Sequence, residues 1–352
     1  MQHVSTSDSR DVLSESLDAV TSFMREGTSK NTVSSYRGAV NYWVTWHRFR
    51  YNCELQLPLR NATVVDFITD HLQHATAQGL RHNLPAAVDL LLVQSGAKRK
   101  LGPLKLATVR HRIAVISEAH DIKSLPNPCR SPTVHTLLAR VRAAYAKRNV
   151  QVDRKDALTK EPFERMLDTC DESLIGIRDK ALLLFAWASG GRRRSEVVGA
   201  TIENTRRVSE GFIYMLRQSK TNQHGQDRSD DAKPIVGRAA LALEAWLNAS
   251  GINQGAIFRR VRRGGKLGDP LAPEAVRKIV QTRAKLANLD GNFSAHSLRS
   301  GFVTEAGIQG RPIGEIMAMT GHTSVASVAA YHRVGSALTS RTGRLLETDD
   351  LV

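Results

Sequence analysis

The chain has 352 residues, enough for two or three domains with cores of their own. It carries 50 Lys and Arg against 34 Asp and Glu, a net charge of +16, with 41% hydrophobic residues; this excludes a disordered chain and favours a polyanionic partner, nucleic acid before an acidic membrane surface. The longest apolar stretch, 181–188, is less than half a bilayer span, the start MQHVSTSDSRD has no secretory core, and Cys53, Cys129 and Cys170 are too scattered for a disulfide framework or a structural zinc.

The positive charge is uneven. Residues 1–26 hold two basic and five acidic side chains, net −3; residues 27–154 hold nineteen and seven, net +12; residues 155–352 hold twenty-nine and twenty-two, net +7. The first folded unit is thus the more electropositive, as suits a domain that grips a phosphate backbone. Residues 1–11 read as a disordered tail, and 12–26 as a short amphipathic helix with Val12, Leu13, Leu17, Val20 and Phe23 on one side. A helix then starts with Ser29 or Asn31 as N-cap and carries Val33, Tyr36, Val40, Trp43, Val44 and His47 as its apolar stripe. Further helices are predicted over 62–78, with Val65, Phe67, Ile68 and Leu72 inside, over 106–120, through Val109, Ile113 and Ile116, and over 133–147, through Val134, Leu137, Leu138, Val141 and Tyr145. Arg110, Arg112, Arg140, Arg142 and Lys147 ride on the last two and are candidate DNA-backbone contacts. The segment 81–103 fits no pattern: 84–93 is apolar and 97–100 a basic loop. Residues 12–148 form one helical domain in this scheme, and the polar run NVQVDRKDA at 149–157 is the linker.

After the linker, Thr159 caps a short helix at 162–169, and an apolar helix at 177–189 runs into Gly190-Gly191. Strand character appears at 212–216 and 234–236, around a turn-rich loop at 221–232. Helices follow at 239–248, 272–287, 299–306, 313–319 and 324–334. The expected fold is mainly α: a helical N-terminal domain, an α-rich domain over 158–337 with a small antiparallel sheet, and a tail at 338–352.

Taken singly, the polar residues of the second half are ambiguous. His296 and Arg299 in HSLR read as a helix start, His322 follows a turn, Tyr331 reads as a core edge, and Arg192-Arg193-Arg194 as a solvated face. Taken in order, SGGRRRSEVVGA, QSKTNQ, SAHSLRSGFVTEAG and GHTSVASVAAYHRVG resemble the tyrosine recombinase (phage integrase) family. Its pattern is an Arg followed by x-Ser-Glu, a hairpin Lys, His-x-x-Arg, a Gly-His or Gly-Trp, and a Tyr nine residues on. These fall here on Arg193 with Glu196, Lys220, His296 and Arg299, His322, and Tyr331. The stretch SKNTVSSYRGAVNYWVTWH also resembles the opening helix of the family's core-binding domain, and the closing GSALTSRTGRLLE looks most like the Cre-type members, a resemblance that implies a Cre-like simple site-specific recombinase. Within the arginine run, Arg192 or Arg194 would be the working residue if the helix began elsewhere; the Arg-x-Ser-Glu register selects Arg193.

The resemblance implies a set of roles that the chemistry explains. Charge builds on the non-bridging and leaving oxygens of a phosphodiester under attack, and two guanidiniums, Arg193 and Arg299, clamp them, with His322 as a third donor. Tyr331, a phenol with an ordinary pKa of about 10, is the nucleophile and His296 its proton acceptor. Lys220 is the acid for the departing 5′ oxygen, and Glu196 orients Arg193 or His296. His224, in the same loop as Lys220, reads as a solvated or backbone-contacting residue, and His332 as facing elsewhere. No metal and no cofactor is required, because the cations are side chains.

The resemblance further implies a C-shaped two-domain clamp on duplex DNA, inverted-repeat sites and no separate arm-binding domain. It also implies a homotetramer on two sites, a 3′-phosphotyrosine intermediate, a Holliday junction, and docking between protomers through 338–352, where Leu345 and Leu346 form an apolar pair. The expected compartment is the cytoplasm, at the nucleoid in a prokaryote, with no membrane partner. Two rivals are a type IB topoisomerase-like enzyme, disfavoured by the compact length and the Cre-like tail, and an inactive DNA-binding protein of the same fold, disfavoured by the complete six-position set.

Overall fold

The computed structural model describes residues 30–149, 155–216 and 231–336. The calls on 1–29, on Lys220 and His224, and on the tail 338–352 lie outside them. The chain divides into two compact units, Met1–Val152 and Asp153–Val352.

The first unit is built on aromatic residues. Helix α1 (Lys30–Tyr51) buries Ala39, Tyr42, Trp43 and Trp46. Val33, Tyr36 and Val44 lie outside, so the inward face is rotated from the predicted stripe, and Asn31 is inside the helix rather than its cap. The reason is volume: the two indoles and the phenol bury far more surface than the valines do. Trp43 stacks on Phe67 of α2 (Asn61–His71) at 3.7 Å between centroids. Each indole N–H has an acceptor, Trp43 on Arg112 O at 3.0 Å and Trp46 on Asp70 Oδ2 at 3.0 Å.

Helix α2 stops seven residues before the predicted end, and a small hairpin follows, β1 (His74–Thr76) and β2 (Gly79–Arg81). The segment 81–103 contains helix α3 (Ala86–Gln94), which places Val88 and Leu92 in the core. Lys98, predicted in a basic loop, is buried: its ammonium donates to Asp89 and to Gly102 O, while Gly102 N–H donates to Asp89 Oδ2 at 2.7 Å. Helices α4 (Leu106–Ile122) and α5 (Pro132–Lys147) complete the unit; Ser131 caps α5 by accepting from Val134 N–H.

In the second unit, α6 (Lys160–Asp168) begins at Thr159, whose side chain makes no capping bond. The apolar helix α7 (Leu174–Ala188), capped by Ser173, is the centre of the core, with Leu182, Leu183 and Phe185 buried. The short helix α8 (Arg194–Val198) follows the glycine pair. The sheet is three-stranded and antiparallel, in the order β3 (Thr205–Val208), β4 (Gly211–Met215), β5 (Ala232–Val236), with Tyr214 opposite Lys233. Helix α9 (Arg238–Ser250) and a second hairpin, β6 (Arg259–Val261) with β7 (Leu267–Pro270), come next. Helices α10 (Pro273–Leu286), α11 (Ala295–Ile308), α12 (Ile313–Thr320) and α13 (Val325–Ser336) close the chain. Val303, Ala306, Ile316 and Val328 form a small separate core that joins the last three. Among the described residues no helix is long and apolar enough to cross a membrane.

Candidate active site

The site is assembled around the end of α7, the start of α11, the end of α12 and the middle of α13. Helix α7 stops at Gly190-Gly191, with φ of +94° and +66°. A Cβ on Gly190 would lie 2.4 Å from Met319 O, and one on Gly191 would lie 2.3 Å from Arg299 Cα. Only glycines let this turn pass so close to the end of α12 and the start of α11.

The turn delivers three arginines to three environments. Arg192 has a side chain 1% exposed and donates to Met319 O at 2.5 Å; Arg194 is 50% exposed and pairs with Glu274 at 2.7 Å. Arg193, 27% exposed, is both ordered and accessible: its Nη1 donates to Glu196 Oε1 at 2.6 Å, and its backbone N–H donates to Glu196 Oε2 at 3.1 Å. Glu196 is buried and therefore holds Arg193, one of the two partners the sequence left open. Tyr214 Oη in turn donates to Glu196 O at 2.8 Å, which ties α8 to the sheet.

Arg299, buried in the first turns of α11, donates from Nη2 to Thr320 O at 2.6 Å, from Nη1 to Gly191 O at 3.4 Å and from Nε to His322 Nε2 at 3.3 Å. Because a guanidinium only donates, His322 Nε2 is an acceptor here and its proton sits on Nδ1, which donates to Thr320 Oγ1 at 2.7 Å. Thr320 Oγ1 in turn donates a hydrogen bond to Ile316 O at 2.7 Å. Burial, then the charges of Arg299 and Arg193, push His322 down to about 4. His296 is lowered by burial and by the same two arginines. Both rings are neutral at pH 7. Arg299 itself is lowered by burial, then by Arg193 and Arg192, and stays charged at pH 7.

Tyr331, half-buried on α13 against the small core, places its ring edge-on to His296 with centroids 6.4 Å apart. His332 faces elsewhere, its Nε2 3.2 Å from Arg311 O. Six of the seven predicted positions thus come together, and Lys220 lies outside the described residues. The charges of Arg192 and Arg193 help to lower Arg299 and His322, and Glu196 is the carboxylate among them. Such a cluster suits an anion with several oxygens, and the two neutral imidazoles leave it a base. Among the described residues no group of three His, Cys, Asp or Glu is placed to hold a metal.

Of the predicted backbone contacts, Arg110, Arg140, Arg142 and Lys147 are exposed on α4 and α5. Arg112 differs: its guanidinium lies 3.2 Å from the centre of the Tyr42 ring, half-buried within the unit, and is already engaged there. Sequence reasoning overlooked two features. One is the pair Arg192 and Lys233, both buried beside the end of α12. The other is the β6–β7 hairpin, whose RRVRRGGK run exposes Arg260, Arg262, Arg263 and Lys266; that run was visible as a signal.

The sequence profile of the phage integrase family matches residues 156–337. The chain belongs to the phage integrase family, that of the tyrosine recombinases. An integrase/recombinase XerD homologue of Selenomonas ruminantium is 28% identical over 322 residues, 89% of this chain and 84% of the relative. The tyrosine recombinase XerD of Staphylococcus saprophyticus is 23% identical over 319 residues, 88% and 90% of the two chains. Two solved structures share the fold, each with a TM-score of 0.55: a lambda integrase dimer bound to a core site (16% identical, covering 96% of this chain and 97% of that one) and the Tn1549 transposon integrase in complex with transposon right end DNA (14%, covering 93% and 98%).

Proposed function

We propose that this recombinase breaks and rejoins duplex DNA through a 3′-phosphotyrosine on Tyr331, with His296 as base and Arg193, Arg299 and His322 around the scissile phosphate. The observation that carries it is the Tyr331 ring beside a neutral His296, next to arginines that share Glu196. Tyr331 gives its proton to His296 and its oxygen attacks phosphorus. The 5′ oxygen leaves with a proton, for which Lys220 is the candidate donor. In the reverse step a DNA 5′-hydroxyl attacks the phosphotyrosine and Tyr331 regains its proton. His322 has no proton on Nε2 until a phosphate draws Arg299 Nε away and raises the ring's proton affinity. It then becomes the third donor.

Both units supply the grip on duplex DNA, through exposed Arg110, Arg140, Arg142 and Lys147 in the first and the β6–β7 hairpin in the second. The wider reading is a homotetramer on two inverted-repeat sites, exchanging strands through a Holliday junction in the cytoplasm. For its assembly, residues 338–352 dock on a neighbouring protomer. A cavity of about 470 Å³ in the second unit, lined by Phe163, Leu184, Trp187, Val236, Phe302 and Ala306, offers an apolar receptor. Deleting 338–352 should leave single-site binding intact and weaken the loading of a second protomer in a gel-shift titration. Unchanged cooperativity refutes the docking.

The deciding experiment is incubation with a nicked suicide substrate, followed by recombination between two sites. A covalent adduct that vanishes with Tyr331→Phe, together with exchange products, supports the proposal. An adduct with relaxation of supercoils but no exchange supports a type IB topoisomerase, and no adduct at all supports a binding protein.

A further inference from the structure

The last turn of an α-helix leaves carbonyls without intrahelical partners and carries partial negative charge. In α12 three consecutive carbonyls are each met by a buried cation from a different element. Lys233 of β5 donates to Ala318 O at 2.5 Å, Arg192 of the glycine turn to Met319 O at 2.5 Å, and Arg299 of α11 to Thr320 O at 2.6 Å. Lys233 and Arg192 are each 1% exposed, so neither can touch a DNA phosphate without rearrangement. Gly321, at φ +68°, ends the helix, and His322 is the next residue. The ring of His322 is thus fixed by what holds this turn, including its bond to Thr320 Oγ1.

We propose that Lys233 and Arg192 are positioning residues for strand cleavage: with Arg299 they clamp the end of α12 and so set where His322 meets Arg299 and the scissile phosphate. The inference rests on the cleavage reading of the site. Neither residue belongs to the family pattern found in the sequence. Lys233 lies on β5, the first described strand after position 220 in the chain, and its bond ties that strand to the turn before His322.

A double-mutant cycle tests the clamp under single-turnover conditions with saturating suicide substrate. Lys233→Met keeps the length of the side chain and removes its charge. It should slow adduct formation by about 10- to 100-fold, as displacement of a reacting group by an ångström does, with DNA affinity changed less than about 2-fold. In a His322→Ala background the same substitution should cost less than about 2-fold, because the ring it positions is gone. Arg192→Met should behave alike, and Arg192→Lys, which keeps a cation for Met319 O, should recover part of the rate. The arginine pair also carries the test if Lys233→Met does not fold. A merely structural role predicts an equal loss in both backgrounds, or a lower unfolding midpoint with an unchanged rate; either result overturns the clamp while the cleavage reading stands. If Tyr331→Phe still forms adduct, the reading of the site is wrong and the clamp falls with it.

Discussion

Lys98 in the first unit and Arg299 in the second are both buried cations, balanced in opposite ways. Lys98 faces the carboxylate of Asp89, itself buried, and Gly102 closes the remaining oxygen. Arg299 faces two carbonyls and an imidazole, and Glu196, whose charge it feels, is paired with Arg192 and Arg193 instead. Carbonyls satisfy N–H groups without cancelling charge. The first arrangement is a closed pair that fixes a loop to a helix. The second keeps its positive charge in a low-dielectric setting, where an arriving phosphodiester completes it.

The contrast breaks most visibly at the closed pair. Lys98→Met leaves Asp89 buried without its cation and should cost about 3–5 kcal/mol of stability in the first unit, read by denaturant unfolding. Adding Asp89→Asn should return much of that loss. Adduct formation per folded molecule at saturating DNA should stay within a few-fold of the unaltered protein. A large fall in the cleavage rate without a fall in stability would show that the pair is not merely structural.

At the open site the same kind of change should act on rate. Arg299→Met removes one preorganised donor, at a cost of about 100- to 1,000-fold in cleavage, or ~3–4 kcal/mol. The fold should survive better than with Lys98→Met, since no carboxylate is stranded in direct contact with the lost charge. If the unfolding midpoint falls as far as it does for Lys98→Met, Arg299 is holding α12 more than it serves the phosphate.

These two lysine and arginine environments also show where sequence runs out. The order of Arg193, Glu196, His296, Arg299, His322 and Tyr331 was legible because each sits at a fixed offset within a short helix or turn. The tertiary fold then needs only to bring four short segments together. Most helices of both units were legible through their apolar periodicity, but α3, inside 81–103, and the five-residue α8 were not. The inward face of α1 was not, because Trp43, Trp46 and Tyr42 outweigh a valine stripe that looks equally regular. Strand β3 (TRRV) was hidden by outward arginines, and so was the β6–β7 hairpin. Lys98 read as part of a basic loop and Arg192 as part of a solvated face, and nothing marked Lys233, because burial of a cation depends on carbonyls and carboxylates remote in sequence.

Two histidines carry the comparison into pH. His71 in the first unit receives Tyr42 O–H at 2.6 Å and donates to Phe67 O at 2.7 Å; burial lowers it to about 3. His322 is lowered to about 4. In both cases the folded form binds fewer protons than the unfolded chain below the ordinary value of about 6.5. Their stability is therefore complete above pH 6.5 and is lost as pH falls toward 4 and then 3. Bound DNA should act on one of them alone. A phosphate beside His322 raises its proton affinity, so DNA binding should tighten as pH falls from 7 to 5, and His322→Gln should flatten that dependence. An equal dependence in His322→Gln would place the proton elsewhere.

The smallest expected effect lies on the surface, and it compares how the two units meet the backbone. The first unit offers charges along helices, Arg140 and Arg142 on α5, and the second offers them on a turn, Arg262 and Arg263 beside Gly264-Gly265. Neutralising Z phosphates gives the logarithm of affinity a slope of about −0.9Z against the logarithm of salt. Replacing either pair by Ala should thus flatten the slope by up to about two units, with little effect on the cleavage rate once DNA is saturating. The helix pair is held by the α5 backbone, whereas Arg262 already has Asp269 at 3.5 Å, an exposed pair that gives up little on exchange for a phosphate. Parallel titrations from about 50 to 200 mM salt would show both slopes reduced if both surfaces touch phosphate. A slope unchanged by Arg140→Ala with Arg142→Ala would put that face of α5 in solvent and leave phosphate contact to other exposed cations of the first unit, Arg110 and Lys147 among them.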